Sequence, residues 1–165
     1  MPSPWCASAA GSGNTVPSRK ERIPVVLDTN VLVGYYLSHS VRSSNARVFK
    51  LWRDERKLQL LVCEEVAAEY LEVLPRLSVR PSLIERLKER LAKRETVSHV
   101  NLGRRYYFSR DADDNVWLAL AAAGKAEYLI TNDGDLLDIP SQTQRLFRFK
   151  ILRPAQFLAA LKERR

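Results

Sequence analysis

Residues Val25–Val33 read VVLDTNVLV, an apolar run interrupted by Asp28-Thr29-Asn30 before the apolar pattern resumes. Ile23–Leu27 is short, β-branched and bounded by polar residues, the pattern of a buried strand. Val31–Leu37 continues at helical spacing. A strand that passes directly into a helix makes a βα unit and sets Asp28 at the strand's carboxyl end.

The same alternation continues along the chain. Ser43-Ser44 offers an N-cap for a helix carrying Ala46, Val48, Phe49, Leu51 and Trp52, and Leu58–Cys63 reads as a second buried strand. A helix follows from about Glu64 to Leu74, stopping at Pro75. Pro81–Lys93 places Leu83, Ile84, Leu87 and Leu91 on one stripe, and Thr96–Val100 fits a short edge strand. Asp111–Gly124 is the strongest helical pattern, acidic at its start and closed by Gly124. A strand at Tyr128–Thr131, a turn at Asn132–Gly134, a strand around Phe147–Leu152 and a helix at Pro154–Lys162 complete the order. Short apolar runs alternating with amphipathic helices predict an α/β sandwich, a central parallel sheet covered on both faces and joined by right-handed crossovers. No internal repeat is present.

At 165 residues, 45% hydrophobic and 28% charged, the chain has material for a single domain with a sizeable core. Residues 1–20 are expected to form a disordered tail, since residues 1–18 carry four Ser, three Ala, three Pro and two Gly. The expected domain spans 21–165. No run approaches the roughly 18 apolar residues of a membrane helix, so no membrane partner and a cytoplasmic location are expected. Cys6 and Cys63 fit neither a disulfide framework nor a zinc site.

The net charge of +8 arises from 27 cations against 19 carboxylates, which suits a polyanionic partner. Its distribution is uneven. Segments 1–24, 42–57, 76–105 and 144–165 hold 25 of the cations and seven of the carboxylates, leaving two cations and 12 carboxylates elsewhere.

Those remaining carboxylates include Asp28, Glu69, the Asp111/Asp113/Asp114 group and the Asp133/Asp135 pair. In parallel α/β folds ligands bind beyond the carboxyl ends of the strands, where Asp28 and Asp133 both fall. Each also has a purely structural reading. Asp28 suits a helix cap or Asx-turn, Glu69 a solvated helix position, Asp111–Asp114 a helix N-terminus, and Thr131–Asp135 a turn. Against this, Glu69 lies between Val66 and Val73 on the expected sheet-facing stripe, and Asp114 aligns with Leu118 and Ala121.

Carboxylates converging in a partly buried site repel one another unless a cation holds them. An all-oxygen set of this kind suits Mg²⁺ or Mn²⁺, which retain waters and accept phosphate oxygens. Such an ion lowers the pKa of a bound water and stabilises charge growing on phosphate. Lys and Arg around it would hold the rest of a polyanion.

VVLDTNVLV at Val25–Val33, CEEVAAEYLEVL at Cys63–Leu74, RDADDNVWLALAAA at Arg110–Ala123 and YLITNDGDLL at Tyr128–Leu137 resemble the four acidic motifs of PIN-domain ribonucleases. The likeness is to the bacterial branch of VapBC-type toxin–antitoxin toxins and runs from Val25 to about Leu158. It implies a three-layer α/β/α sandwich and Mg²⁺- or Mn²⁺-dependent endonucleolytic cleavage of RNA by an activated water. By this similarity Asp28, Glu69, Asp114 and Asp133 would be the catalytic metal-binding set. Asp113 and Asp135 would be auxiliary ligands, and Asn30 and Thr131 polar supports. A toxin member would also form a homodimer or higher homo-oligomer and be silenced by an antitoxin protein. Cys63 departs from the small hydroxyl residue usual at its position.

Other readings stand beside this one. A strand-terminal Asp28 also fits an aspartyl-phosphate phosphatase, although Asn30 replaces the second aspartate such enzymes carry. A catalytically silent RNA- or partner-binding module keeps the same residues. Arg86, Lys88, Arg90, Lys93 and Arg94 form either a solvated face or a nucleic-acid surface. Arg104-Arg105-Tyr106-Tyr107-Phe108 is either a base-stacking segment or a buried strand. His39 and His99 are expected to be ordinary histidines, Trp52 and Trp117 core residues, and Trp5 idle in the tail.

Overall fold

The computed structural model describes residues 16–102 and 115–164. The Asp111/Asp113/Asp114 group and the Arg104–Phe108 segment lie outside the described residues, as does Trp5. In chain order the elements are β1 (Ile23–Leu27), α1 (Thr29–Leu37), α2 (Ser44–Arg53), β2 (Leu58–Val62), α3 (Glu64–Arg76), α4 (Pro81–Ala92) and β3 (Val97–His99). They continue with α5 (Asn115–Ala123), β4 (Tyr128–Ile130), α6 (Gly134–Leu137), α7 (Ser141–Gln144), β5 (Lys150–Leu152) and α8 (Pro154–Glu163).

The five strands form one sheet in the order β3-β2-β1-β4-β5, and every neighbouring pair is parallel. The chain first builds outward from β1 to β2 and β3, then returns to β1's other side for β4 and β5. The order therefore reverses between β1 and β4, where Leu27 pairs with Ile130. Helices leaving adjacent strands on opposite sides of such a switch point open a crevice at the carboxyl edge.

Every residue of β2, and Val25, Val26 and Leu27 of β1, is buried, as expected of strands covered on both faces. Among the helices, α2 packs against α1 and α8, and α3 against α1, α4 and α5. The fold is an α/β sandwich around a central parallel sheet. Trp52 and Trp117 are core residues, and the indole N–H of Trp52 donates to Thr96 O at 3.1 Å. Ser43 caps α2, its Oγ accepting from Ala46 N at 3.1 Å, and Pro81 opens α4 where no N–H is needed.

Four local details differ from the sequence reading. First, α3 passes through Pro75 to Arg76. A proline in the last turn removes only the bond to Leu71 O, too little to end the helix. Second, the segment after β4 is more than a turn, because Asp133 nucleates the short α6. Third, β5 begins at Lys150, and the preceding Phe147 and Phe149 stack with ring centroids 4.8 Å apart.

The fourth concerns the end of α5. Gly124 is not left-handed; Lys125 is, with φ 54°. Ala126 N closes the end on Ala121 O at 2.9 Å. Gly124 is required for space, since a Cβ there would lie 2.7 Å from Leu61 Cδ1 and 3.0 Å from Leu120 O.

Candidate functional site

Asp28 follows β1 directly, and its N–H donates to Ile130 O at 3.0 Å, tying it to the neighbouring strand β4. It occupies the N-cap position of α1, yet its side chain makes no cap hydrogen bond. The carboxylate points instead toward β4. Thr131 Oγ1 donates to Asp28 Oδ2 at 2.6 Å and Asn30 Nδ2 donates to the same oxygen at 3.0 Å.

Both donors are themselves fixed. Asn30 Oδ1 accepts from Asn132 N at 3.1 Å, and Thr131 Oγ1 accepts from Asp133 N at 2.9 Å. Asp133 Oδ1 accepts from Asp135 N at 3.0 Å and so caps α6. The two loops of the switch point are thereby laced together, with Asp28 at the centre. Asn30 and Thr131 thus both hydrogen-bond Asp28 directly.

Glu69 reaches the same place from α3. Its Oε1 accepts from Thr29 Oγ1 at 2.7 Å. The expected stripe containing Val66, Glu69 and Val73 is rotated in the structure: Val66, Tyr70 and Leu74 are the buried positions, and Glu69 sits half-exposed beside them. A four-residue repeat of large apolar groups buries more surface than one interrupted by a carboxylate, so the helix turns Glu69 outward into the cleft. Tyr70, buried beneath it, donates its hydroxyl to Leu27 O at the end of β1. That tether fixes the height of α3 against Asp28.

Asp28, Glu69 and Asp133 line one cavity of about 800 Å³, together with Thr29, Asn30, Glu65, Glu72 and Arg76. Val116 and Trp117 of α5 also line it. Asp135 lies in the first turn of α6, half-buried, and touches the site through its bond to Asp133. Among the described residues no three acidic, His or Cys side chains stand close enough to form a ligand cluster by themselves. Asp113 and Asp114 are outside that set.

The electrostatics of Asp28 are those of a carboxylate short of a counter-charge. Burial is the main cause that pushes its pKa up to about 6, and the charges of Asp133 and Glu69 push the same way against the Thr131 hydrogen bond. Burial likewise raises the Tyr70 hydroxyl well above its ordinary value, reinforced by Asp28 and Glu69. The cation lining this cavity among the described residues, Arg76, is paired with Glu72 at 2.6 Å. A buried Asp28 carboxylate that ionises more readily once a positive charge arrives, with Glu69 and Asp133 lining the same cleft, offers oxygen donors of the kind a hard divalent ion requires.

Two supports were not visible in the sequence. Asn45, at the start of α2, accepts from Asn132 Nδ2 through its Oδ1 at 3.1 Å. Gly34 makes room for it, because a Cβ at Gly34 would lie 2.3 Å from Asn45 Nδ2. Tyr70 carried the one usable signal, a four-residue spacing from Val66 and Leu74. His39 and His99 are exposed and outside the cavity, and His99 Nε2 contacts Leu91 O at 2.9 Å.

The fold is thus an α/β sandwich with a carboxylate-lined crevice at the switch point of its parallel sheet. Residues 24–135 match the model of the PIN domain, and the chain belongs to that family. It is similar to the crystal structure of VapBC2 from Rickettsia felis bound to a DNA fragment from their promoter. That likeness has 15% sequence identity and a TM-score of 0.51, and covers 79% of this chain and 98% of that one. It is also similar to the RRP44 PIN domain of T. brucei, at 16% identity and a TM-score of 0.45 over 93% of each chain. No curated protein shows a significant match. Among the described residues no helix is long and apolar enough to cross a membrane.

Proposed function

We propose that the protein is a divalent-metal-dependent endoribonuclease, the toxin component of a toxin–antitoxin pair. The observation that carries the catalytic reading is Asp28. It is buried at the carboxyl end of β1, oriented by the side chains of Thr131 and Asn30 without a side-chain cap bond to α1, and shares one cavity with Glu69 and Asp133.

Asp28, Glu69, Asp114 and Asp133 would hold Mg²⁺ or Mn²⁺, with Asp113 and Asp135 as auxiliary carboxylates. When bound, the ion supplies an activated water nucleophile and stabilises negative charge developing at the phosphate. The chain's own contribution is orientation. Thr131 and Asn30 fix one oxygen of Asp28, Thr29 fixes Glu69, and the α6 cap fixes Asp133. Tyr70 sets the spacing between α3 and β1. Holding these groups before substrate arrives removes reorganisation from the reacting step.

The toxin reading rests on family membership and on the VapBC2 fold likeness. It carries with it an antitoxin protein partner, a homodimer or higher homo-oligomer, and a cytoplasmic RNA substrate. The basic surplus of the chain supplies the attraction for that polyanion.

The test is cleavage of mixed RNA substrates in Mn²⁺ and in EDTA by the wild type, Asp28→Asn and Asp114→Asn proteins. Cleavage should require the ion and fall by about 100-fold or more in each variant, the loss of several kcal/mol of charge stabilisation. Cleavage in EDTA, or cleavage indifferent to both substitutions, overturns the mechanism. An acyl phosphate trapped on Asp28 would replace it with phosphatase chemistry, and metal binding without cleavage would leave a binding module.

A further inference from the structure

We propose that Arg76, at the C-terminal end of α3, is a substrate-binding residue that grips a backbone phosphate flanking the one to be cleaved, and that Glu72 is its resident competitor. The inference deepens the nuclease reading, since it names how the same cleft holds the strand it cuts.

The cavity is far larger than an ion and one phosphate require, at about 800 Å³. Asp28, Glu69 and Asp133 line it where α3 passes β1 and the β4 loop. Glu72, Val73, Arg76 and Leu77, further along α3 and at its C-cap, also line it. From Glu69 to Arg76 is seven residues of helix, about 10.5 Å at 1.5 Å per residue, enough to separate one phosphate from a neighbour along an extended strand. An anionic strand entering a cleft walled by Asp28, Glu69, Asp133, Glu65 and Glu72 meets repulsion at each of them. Arg76 is the cation facing that cavity among its described lining residues.

The chemistry of Arg76 fits the task. A guanidinium presents a planar fork of donors that matches two phosphate oxygens and stays charged at any relevant pH. Its pairing with Glu72, four residues earlier, is a surface ion pair at 2.6 Å with side chains 71% and 64% exposed. Such pairs are weak and exchange readily for a better anion. Leu77 beside it is an exposed large hydrophobic residue at 38%, and with half-buried Val73 offers an apolar wall for the sugar and base of the flanking nucleotide. A purely structural Arg76 would do no more than end its helix, where a cation suits the dipole. That role does not account for its place in the cavity.

The experiment measures binding apart from cleavage. A fluorescein-labelled single-stranded RNA oligonucleotide is titrated, in Mg²⁺, with Asp28→Asn protein and with the same protein also carrying Arg76→Ala, Arg76→Lys or Glu72→Gln. Arg76→Ala should weaken binding about 5- to 20-fold, and the slope of log K against log salt should become shallower by about 0.7, one phosphate contact on a single strand. Arg76→Lys should recover part of the loss. Glu72→Gln frees the guanidinium and removes a repelling charge, and should tighten binding about 2- to 5-fold, a gain that a structural ion pair would not produce.

In the otherwise wild-type protein the Arg76→Ala loss should appear in KM more than in kcat. Unchanged affinity and salt slope in Arg76→Ala, or weaker binding in Glu72→Gln, overturns the proposal. If neither the wild type nor any variant cleaves RNA but these affinity differences persist, the nuclease reading fails, and Arg76 stands as an RNA phosphate contact with Glu72 as its competitor. If the wild type cleaves and Arg76→Ala leaves affinity and KM untouched, the proposal fails alone.

Discussion

Two buried polar clusters sit in this sheet, and they are built on opposite plans. At the carboxyl edge, Asp28, Thr29 and Thr131 surround an acid whose charge the fold disfavours. Toward the amino end of β2, the uncharged Gln59 and Thr96 are buried. Thr96 O accepts from Leu60 N at 2.8 Å and from the Trp52 indole at 3.1 Å, and Gln59 bonds to Ser98 Oγ at 3.0 Å. Arg22 reaches that cluster from outside, its Nη1 donating to Glu95 O beside Gln59.

The difference separates structure from function. The neutral cluster satisfies its groups within the chain and joins β2, β3 and α2. The acidic one has its orientation satisfied and its charge left over. A buried group that is held firmly but in an unfavourable ionisation state is a candidate site for a ligand, which is why the proposed cation is assigned to Asp28.

The Asp28 carboxyl titrates near 3.8 when exposed and is pushed up to about 6 in the fold. Below pH 3.8 it is protonated in both states and has no effect on stability. As pH rises from about 4 to about 6 the unfolded chain releases the proton while the folded chain keeps it, so folding weakens. Each tenfold difference in proton affinity between the two states is worth about 1.4 kcal/mol, which brings the loss to about 3 kcal/mol above pH 6. Urea unfolding in EDTA between pH 4.5 and 7.5 should show this decline in the wild type. Asp28→Asn should flatten it, and a decline of equal size in that variant would remove Asp28 as its source.

The neutral cluster should respond in the opposite sense. Gln59→Ala strands the groups that Gln59 satisfies and should cost about 1–3 kcal/mol at every pH in that range, read from the urea midpoint, with RNA cleavage retained. A loss confined to one end of the pH range would show that the two clusters are not distinct in kind.

The smallest effect lies outside both. Lys125 is left-handed at the end of α5, a conformation that costs a non-glycine residue about 1–2 kcal/mol, part of which glycine's larger unfolded-state entropy cancels. Lys125→Gly should therefore raise stability by about 0.5–1 kcal/mol without touching either cluster, measured by thermal unfolding. A destabilised variant would mean that the lysine side chain has a packing role.

How much of this could be read in advance follows the range of the interactions. The buried runs at Val25–Leu27 and Leu58–Val62, and with them the parallel sheet, were legible because strands covered on both faces need only be apolar. Asp28 and Asp133 were legible as residues ending strands. The rotation of α3 was not, because Tyr70 counts as apolar only once its hydroxyl has found Leu27 O. Nor was the fit of Gly34 against Asn45, which depends on two helices meeting. The exchange of roles between Gly124 and Lys125 was hidden for the same reason: the glycine is demanded by Leu61, far away in the chain.

The central claim is that the fold leaves Asp28 waiting for a divalent cation. Thermal unfolding at pH 7.5, with and without Mn²⁺, of the wild type, Gln59→Ala and Asp28→Asn proteins tests it most directly. At about 100-fold excess over Kd, binding contributes about 2.7 kcal/mol, so the wild type and Gln59→Ala should each gain about 5–10 °C in Tm and Asp28→Asn should gain little. An Mn²⁺-induced rise of the same size in Asp28→Asn would contradict the account.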